Sequence, residues 1–241
     1  MKRIFDISLS FFGLIITFPI IIVSLFLVWN EDKYLPFYMA KRVGKNGKNF
    51  NMFKIRTMII NADKSGVDST SSNDKRITKI GRIIRKYKID ELTQFLNIII
   101  GDMSFVGPRP NDLRDTKIYT KVERKLLKIK PGLTDFASIV FSDESDILSI
   151  NCNPDITYNQ LIRPSKSSLA LFYIKKRGFL IDLLIIFLTA TNIFFRKKTL
   201  KMLSFLLKTL NAPKNLVEVS SREFPLIPSP PPGSDKIVES R

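Results

Sequence analysis

An uncharged run from Ile7 to Trp29 is the longest apolar feature of the chain. It is long enough to cross a bilayer as a helix, and no small-residue cleavage pattern follows it, so a membrane segment is favoured over a signal peptide. Pro19 lies in its middle and removes one helix hydrogen bond. Because basic residues flank both ends, we expect a kinked segment that enters the membrane and turns back, with a spanning helix as the alternative.

A strand–turn–strand pattern occupies residues 41–58. Asn46-Gly47 is a strong turn signal, and partial alternation of apolar and polar residues follows it. Lys54 lies on an exposed face of the second predicted strand, where it can serve a ligand or be plain solvated surface. The Ser- and Asp-rich residues 61–76 then predict a loop or a lid.

Helical spacing dominates the middle of the chain. Residues 77–87 and residues 117–130 each predict a basic amphipathic helix, which suits a membrane surface or a solvated face. Between them, a short helix is expected to begin at Asp90-Glu91 and to end at Gly101.

The pattern weakens in the C-terminal part. Residues 133–165 read as irregular, and Phe179 to Phe195 is apolar except for Asp182. This second apolar run is short for a membrane span and has cations at both ends, so a core or interfacial helix is predicted, with a span as the lesser alternative. The proline-rich tail is expected to be disordered from about residue 220.

These elements predict an α/β fold, mostly α, in which a re-entrant membrane helix, a small strand hairpin and interfacial amphipathic helices form a compact catalytic domain. The expected division is a membrane helix over residues 1–38, a catalytic domain over 39–200 and an extension over 201–241.

Composition narrows the chemistry. The net charge of +17 suits nucleic acid, anionic lipid or a polyanionic small substrate. Histidine is absent, which excludes His-based triads and His-ligated zinc. Cys152 is the only cysteine, so no internal disulfide can form.

The candidate chemistry lies at Asp90 and Glu91, two adjacent carboxylates. Gly107 to Pro110 follow as a stiff turn that holds Arg109, and a run of cations precedes the acids. Two acids among so many cations suit a metal and a phosphorylated substrate, whereas the simpler interpretation is an N-cap with a dipole-favoured acid. The upstream cations are Lys79, Arg82, Arg85, Lys86 and Lys88.

Taken together, the sequence resembles the bacterial sugar transferase family of small polyprenyl-phosphate phosphoglycosyl transferases. The resemblance covers roughly residues 1–195 and is strongest in the string DELTQFLNIIIGDMSFVGPRP. The other matching segments are KRIFDISLS, Phe18-Pro19, KRVGKNGKNFNMFKIRTM, RIIRKYKI, KPGLT and FLIDLLIIFLTA.

The resemblance implies an enzyme that moves a sugar 1-phosphate from a nucleotide diphosphate sugar, expected to be a UDP-sugar, onto polyprenyl (undecaprenyl) phosphate. It implies that Asp90 is the nucleophile, that Glu91 binds Mg²⁺, and that Lys54, Arg85 and Arg109 bind the substrate phosphates. Neighbouring cations are expected to keep Asp90 ionised. Carboxylate, water and phosphate ligands suit magnesium.

The resemblance also implies a place in the cell. Family members use a re-entrant helix, here broken at Pro19, and present the active site on the cytoplasmic face of the bacterial inner membrane. The implied partners are the nucleotide-sugar donor, the polyprenyl phosphate acceptor and membrane lipid, without nucleic acid. The reaction would be the first membrane step of polysaccharide or glycoconjugate synthesis.

Three departures from the family pattern leave the sugar specificity and the re-entrant geometry open. Residues 134–138 read TDFAS where many members have Gly-Trp-Ala-Gln, Ala170 replaces an acid, and Phe18 replaces a small polar residue.

Three other functions fit parts of the sequence. A membrane-tethered nucleic-acid-binding protein fits the charge but not any known motif spacing. An inactive scaffold would keep the fold, and a Mg²⁺-dependent hydrolase would use water in place of the lipid acceptor.

Overall fold

The protein is mostly helical, with a small strand hairpin and an N-terminal apolar helix, in a computed structural model that describes residues 2–65, 69–151 and 153–239. This confirms the predicted fold class. Residues 66–68 of the predicted loop and the single cysteine, Cys152, lie outside the described residues.

The N-terminal apolar run forms one helix, α1 (Lys2–Asp32). Pro19 lies inside α1, and the helix continues on both sides of it. The expected break at Pro19 therefore does not interrupt the helix. A proline removes one helix hydrogen bond, and packing on both sides of it compensates here. Leu14 and Ile21 both pack against the cluster that contains Ile55 and Ile84.

Both ends of α1 are tied to the rest of the protein. At its start, Lys2 forms an ion pair with Asp182, and Arg3 donates to the carbonyl of Ile98 at 2.5 Å. At its end, Asp32 pairs with Arg56 at 2.6 Å. The outer face of α1 exposes large apolar side chains, and its length and hydropathy are those of a membrane helix.

The predicted hairpin is confirmed. Strands β1 (Phe37–Val43) and β2 (Asn49–Ile55) pair antiparallel around a 3₁₀ turn, Lys45–Gly47, in which Asn46 adopts φ 58°. Because β1 begins at Phe37, the predicted domain boundary after residue 38 falls inside a strand and is too late.

Helix α2 (Lys79–Lys86) is capped by the Thr78 hydroxyl, which accepts from the Gly81 amide. Ile84 of this helix is buried, whereas Tyr87, directly after it, is 60% exposed. Helix α3 (Gln94–Ile100) ends as predicted at Gly101, whose φ of 109° is a left-handed helix stop.

The long helix expected over residues 117–130 is wrong. Helix α4 (Leu113–Lys117) ends early, and a separate 3₁₀ helix covers Glu123–Lys128. The chain breaks between them because Thr120 and Glu123 form a reciprocal capping box, and the buried Glu123 carboxylate pairs with Arg163 at 2.6 Å.

Residues 133–165 are not irregular, which corrects the prediction. They form strand β4 (Gly132–Thr134), which pairs in parallel with β3 (Ser104–Val106), and a series of short helices. Helices of four or five residues are too short to show a periodicity in the sequence. They are α5 (Phe136–Val140), α6 (Glu144–Leu148), α7 (Pro154–Thr157) and a π-helical turn (Tyr158–Ile162) that runs into α8 (Arg163–Lys176).

The second apolar run is part of a longer helix, α9 (Phe179–Thr209), which has one non-helical residue, Phe195. Ile185, Leu188, Leu203 and other residues on one face of α9 are buried in the largest core cluster, while the opposite face is exposed. The predicted boundary after residue 200 therefore cuts a core helix. Helix α10 (Lys214–Ser221) packs against α9.

The tail beyond α10 is ordered against the domain, so the prediction of disorder from about residue 220 is wrong over residues 222–239. The Ser229 amide donates to the Gln160 carbonyl at 3.1 Å, and the Gln160 side chain donates to the Val238 carbonyl at 2.8 Å. Prolines restrict an extended chain without requiring secondary structure, so composition alone could not reveal this docking.

Candidate active site

A cavity of about 350 Å³ opens between the hairpin, the Asp90-Glu91 turn and the segment from α5 to α8. Two groups of its lining residues differ in chemistry and are named as walls; the lining also includes Arg42, Ser69, Thr70, Asp112 and Asp115. The cationic wall comprises Lys54, Arg85, Lys88, Asp90, Glu91 and Arg109. The hydroxyl-rich wall comprises Ser138, Ser142, Glu144, Ser145, Tyr158 and Lys166.

Asp90 and Glu91 lie in a separate 3₁₀ turn, Ile89–Glu91, rather than at the start of α3. Lys88 precedes the turn in a left-handed conformation with φ 54°. Thr93 is the N-cap residue of α3, and its side chain makes no capping hydrogen bond. The interpretation of the pair as a helix cap is therefore wrong, and both carboxylates remain available to the cavity.

Asp90 is a buried carboxylate close to one cation, with its Oδ2 atom 3.6 Å from the Lys54 ammonium. Burial raises the pKa of Asp90 above its ordinary value, and the neighbouring Glu91 adds to this, while Lys54 opposes it. Burial therefore outweighs the cations in the direction of the pKa shift of Asp90, and the expectation that Asp90 is ionised stays a prediction.

Glu91 binds Arg109 through two parallel contacts. The Arg109 Nη2 and Nη1 atoms lie 2.6 Å and 3.0 Å from the two carboxylate oxygens. Burial alone would raise the pKa of Glu91, but Arg109 and Lys54 outweigh it and hold the pKa at about 2. Glu91 is thus ionised wherever the protein is folded near neutral pH, and Arg109 orients it.

Arg109 is itself fixed by two glycines. A Cβ atom on Gly132 would lie 2.1 Å from the Gly107 amide nitrogen, so the β3 and β4 ends can meet only without side chains there. The Gly132 amide donates to the Pro108 carbonyl at 2.9 Å, and Arg109 donates to the Leu133 carbonyl at 2.8 Å. The stiff turn therefore aims the guanidinium at Glu91.

Asn97 holds the hairpin against the dyad. Its side chain is fully buried, accepts from the Phe53 amide at 2.9 Å and donates to the Asn51 carbonyl at 2.8 Å. These contacts position Lys54 next to Asp90. Arg85 reaches the same cavity from α2, where its Nε donates to the Thr57 hydroxyl at 2.9 Å.

The donor set fits a magnesium ion that shares its coordination with a substrate. In the part of the chain that the structure describes, no group of three or more His, Cys, Asp or Glu side chains could hold a metal. Mg²⁺ often binds through one or two carboxylates plus substrate phosphates and waters. Glu91 supplies one carboxylate of this kind.

The structure brings all five predicted cavity residues, Lys54, Arg85, Asp90, Glu91 and Arg109, to one lining. Pro19 lies apart from it in α1. The hydroxyl-rich wall was not predicted, because most of its residues lie in or between short helices without a detectable periodicity. Asn97 was also missed, although an amide inside an apolar helical pattern was a usable signal.

Ala170 lies outside this site. It is buried with Tyr119 and Leu126 in a small apolar cluster. Ala170 is not among the residues that line the cavity. Ser138, at the end of the divergent segment over residues 134–138, does line the cavity.

The comparisons with known proteins agree on one family. A family model described as bacterial sugar transferase matches residues 1–196. An uncharacterized sugar transferase of Bacillus subtilis, EpsL, is 33% identical over 193 residues, which cover 80% of this chain and 87% of the relative.

Two relatives have names that state a reaction. UDP-glucose:undecaprenyl-phosphate glucose-1-phosphate transferase of Klebsiella pneumoniae is 33% identical over 200 residues, which cover 81% of this chain and 40% of the relative. UDP-N-acetylgalactosamine-undecaprenyl-phosphate N-acetylgalactosaminephosphotransferase of Aeromonas hydrophila is 30% identical over 200 residues, which cover 80% of this chain and 43% of the relative. The chain thus spans less than half the length of these two relatives.

Proposed function

This chain belongs to the bacterial sugar transferase family, and from that premise we propose that it transfers a sugar 1-phosphate from a UDP-sugar to undecaprenyl phosphate. The observation that supports this most is the buried Asp90-Glu91 pair in a cavity lined by Lys54, Arg85, Lys88 and Arg109. Both named relatives use a UDP-sugar and undecaprenyl phosphate according to their names. The product would begin the membrane stage of a polysaccharide or glycoconjugate.

Asp90 is the nucleophile in this proposal. Its carboxylate oxygen attacks the phosphorus that carries the sugar, a new P–O bond forms, and the bridging P–O bond breaks to release the nucleoside monophosphate. A phosphate oxygen of the lipid acceptor then attacks the same phosphorus and frees Asp90. Covalent capture divides a two-substrate reaction into two simpler displacements.

The cations of the cavity allow a carboxylate to approach a diphosphate. Lys54 lies 3.6 Å from Asp90 and 3.9 Å from Glu91, so it partly neutralises both acids. Three contacts of Arg109, to Glu91 and to Leu133, use three of the five N–H donors of a guanidinium. The others remain for a phosphate oxygen, and Arg85 offers a further guanidinium to the cavity.

We include Mg²⁺ in the proposed function, held by Glu91 with the substrate phosphates. When bound, the ion supplies positive charge that stabilises the developing charge on the phosphate oxygens. Glu91 suits this role because Arg109 keeps it ionised and fixes its orientation.

The proposed location is the inner membrane of a bacterium, with the cavity on the cytoplasmic face. Two apolar helices, α1 and α9, have the length and hydropathy of membrane helices. Polar contacts tie both Lys2 and Asp32 to the same domain, which supports a re-entrant α1 with both ends on one side. A helix that crossed the membrane would carry one of these ends to the other side.

A donor screen tests the proposed function. The purified full chain in lipid nanodiscs is mixed with undecaprenyl phosphate and each of several nucleotide sugars, with Mg²⁺ or with a chelator, and both products are measured. We expect Mg²⁺-dependent release of uridine monophosphate in equal amount to a lipid diphosphate sugar. Uridine monophosphate without lipid product would indicate a hydrolase, and no release with any donor would contradict the proposal.

A further inference from the structure

The hydroxyl-rich wall contains a charged cluster built from three separate elements. Lys166 of α8 donates to the Glu144 carboxylate of α6 at 2.7 Å. The same ammonium lies 5.0 Å from the ring centroid of Tyr158, which begins the π-helical turn. All three side chains line the cavity.

Folding alone gives little reason for this cluster. A buried or half-buried ion pair is often no more stabilising than well-packed apolar residues of similar size. The Lys166 and Glu144 side chains are only 17% and 34% exposed, so both have given up much of their hydration. Burial raises the pKa of Tyr158 to about 12, so its hydroxyl keeps its proton. A ligand with hydroxyl groups would use these groups.

The two walls offer different chemistry to a donor. The cationic wall carries four cations and two acids, which suits a diphosphate. On the hydroxyl-rich wall the single cation and the single acid cancel, and the remaining polar groups are hydroxyls. Glu144 only accepts hydrogen bonds, Lys166 only donates them, and serine and tyrosine hydroxyls do both. This combination matches a neutral polyol.

The position of the hydroxyl-rich wall favours contact with the sugar of the donor rather than with its nucleoside. In the proposed reaction the attacked phosphorus is the one bonded to the sugar, so the sugar lies next to Asp90 and the nucleoside lies one phosphate further away. Arg109, which binds Glu91, donates to the Leu133 carbonyl, and Ser138 of the hydroxyl-rich wall follows on the same segment. The wall therefore begins close to the dyad.

Resting on the proposed function, we propose that Glu144, Lys166 and Tyr158 bind the glycosyl group of the donor and determine which neutral sugar is accepted. Ser138, from the segment that departs from the family pattern, lines the same wall. The sugar preference of this chain is accordingly set by Ser138, Glu144, Tyr158 and Lys166 rather than by the dyad.

Equilibrium binding tests this role apart from turnover. The full chain in nanodiscs, with Asp90→Asn to prevent reaction, is titrated with UDP, UDP-glucose and UDP-N-acetylgalactosamine. The same titrations follow for added Glu144→Gln and Lys166→Met. We expect each added change to weaken the preferred UDP-sugar by about tenfold, as for one lost hydrogen bond to a charged group, and to leave UDP affinity within about twofold. Asp146→Asn, an exposed acid on α6, is the matched control and should change neither affinity.

Equal weakening of UDP and the UDP-sugar would place the nucleoside on this wall and overturn the proposal. Unchanged UDP-sugar affinity would overturn it as well, as would a starting protein that binds no UDP-sugar better than UDP. Failure of the proposed function has a different signature, namely no uridine monophosphate release from the unaltered chain. The sugar preference in binding can be measured in either case.

Discussion

On each wall of the cavity an acid lies beside a cation, but the two pairs differ in geometry and in proposed role. Glu91 and Arg109 on the cationic wall form a two-point contact fixed by a glycine-proline turn. Glu144 and Lys166 on the hydroxyl-rich wall form a single contact at 2.7 Å, between two helices that are not consecutive in sequence. The two-point contact has the rigidity that a reacting centre needs, and the single contact leaves both side chains able to adjust to a ligand. The two proposals thus assign chemistry and selectivity to different walls of one cavity.

Replacing Asp90 should have the largest effect on the cationic wall. Asp90→Asn removes the nucleophile, so transfer should fall by about a thousandfold or more in a product assay. The fold should persist, because burial disfavours the charged form of this side chain and the amide carries no charge. Thermal unfolding and membrane recovery provide the control. A variant that keeps a few per cent of wild-type turnover would rule out covalent catalysis through Asp90.

Arg109→Lys should have the next largest effect. Lysine cannot reproduce the two-point contact with Glu91, so we expect a loss of about tenfold in kcat/KM, which corresponds to about 1.4 kcal/mol. Arg82→Lys is the matched control, because Arg82 is exposed on α2 outside the cavity lining. Equal and small effects of the two changes would mean that Arg109 contributes only to general positive charge.

The pH dependence of the first half-reaction should reveal the environment of Asp90. The nucleophile must be deprotonated, and burial raises its pKa above 3.8, so the rate should increase with pH through a midpoint above that value. Lys54→Met removes the cation that lowers this pKa and should move the midpoint to higher pH. Lys48→Met, in the exposed hairpin turn, should not move it. A midpoint that does not respond to Lys54 would contradict the assignment.

Glu91 and Asp90 should have opposite effects on the free energy of unfolding as the pH changes. Because the pKa of Glu91 is depressed from 4.5 to about 2, its stabilising contribution is present above pH 4.5 and is lost as the pH falls towards 2. Asp90, with a raised pKa, costs stability above its folded pKa, and this cost disappears as the pH falls.

Replacing Asp135, which caps the helix at the start of the hydroxyl-rich wall, should have only a small effect on the free energy of unfolding. The Asp135 carboxylate accepts from the Ser138 amide and from its hydroxyl, both at 2.7 Å, and caps α5. Asp135→Ala should lower the free energy of unfolding by about 1 kcal/mol, and Asp135→Asn, which keeps an acceptor, should lower it less. Denaturant unfolding measures both. Equal losses would show that the cap is not what holds the start of this wall.

The sequence predicted the cationic wall well because its chemistry is concentrated in short strings. Asp90, Glu91 and Arg109 belong to one continuous motif, and the Asn46-Gly47 turn made the hairpin and Lys54 recognisable. The contact between Glu91 and Arg109 was not predictable in this way. It depends on the pairing of β3 with β4 through Gly107 and Gly132, which is a non-local feature.

The hydroxyl-rich wall escaped prediction for a physical reason. Its short helices are capped by side chains such as Asp135 and Asn153, and their apolar residues join a core that is built from several elements. Periodicity cannot detect elements of one turn. The tail was misjudged in the same way, because its prolines indicated an extended chain but not the surface around Gln160 that it contacts.

Trapping the covalent intermediate tests the central claim most directly. The full chain is mixed with a UDP-sugar that it accepts, without lipid acceptor, quenched in acid and analysed by peptide mass spectrometry. We expect the peptide that contains Asp90 to gain the mass of one sugar phosphate, to lose it when undecaprenyl phosphate is added before the quench, and to gain nothing in Asp90→Asn. Uridine monophosphate release that requires the acceptor, with no adduct on Asp90, would contradict the account.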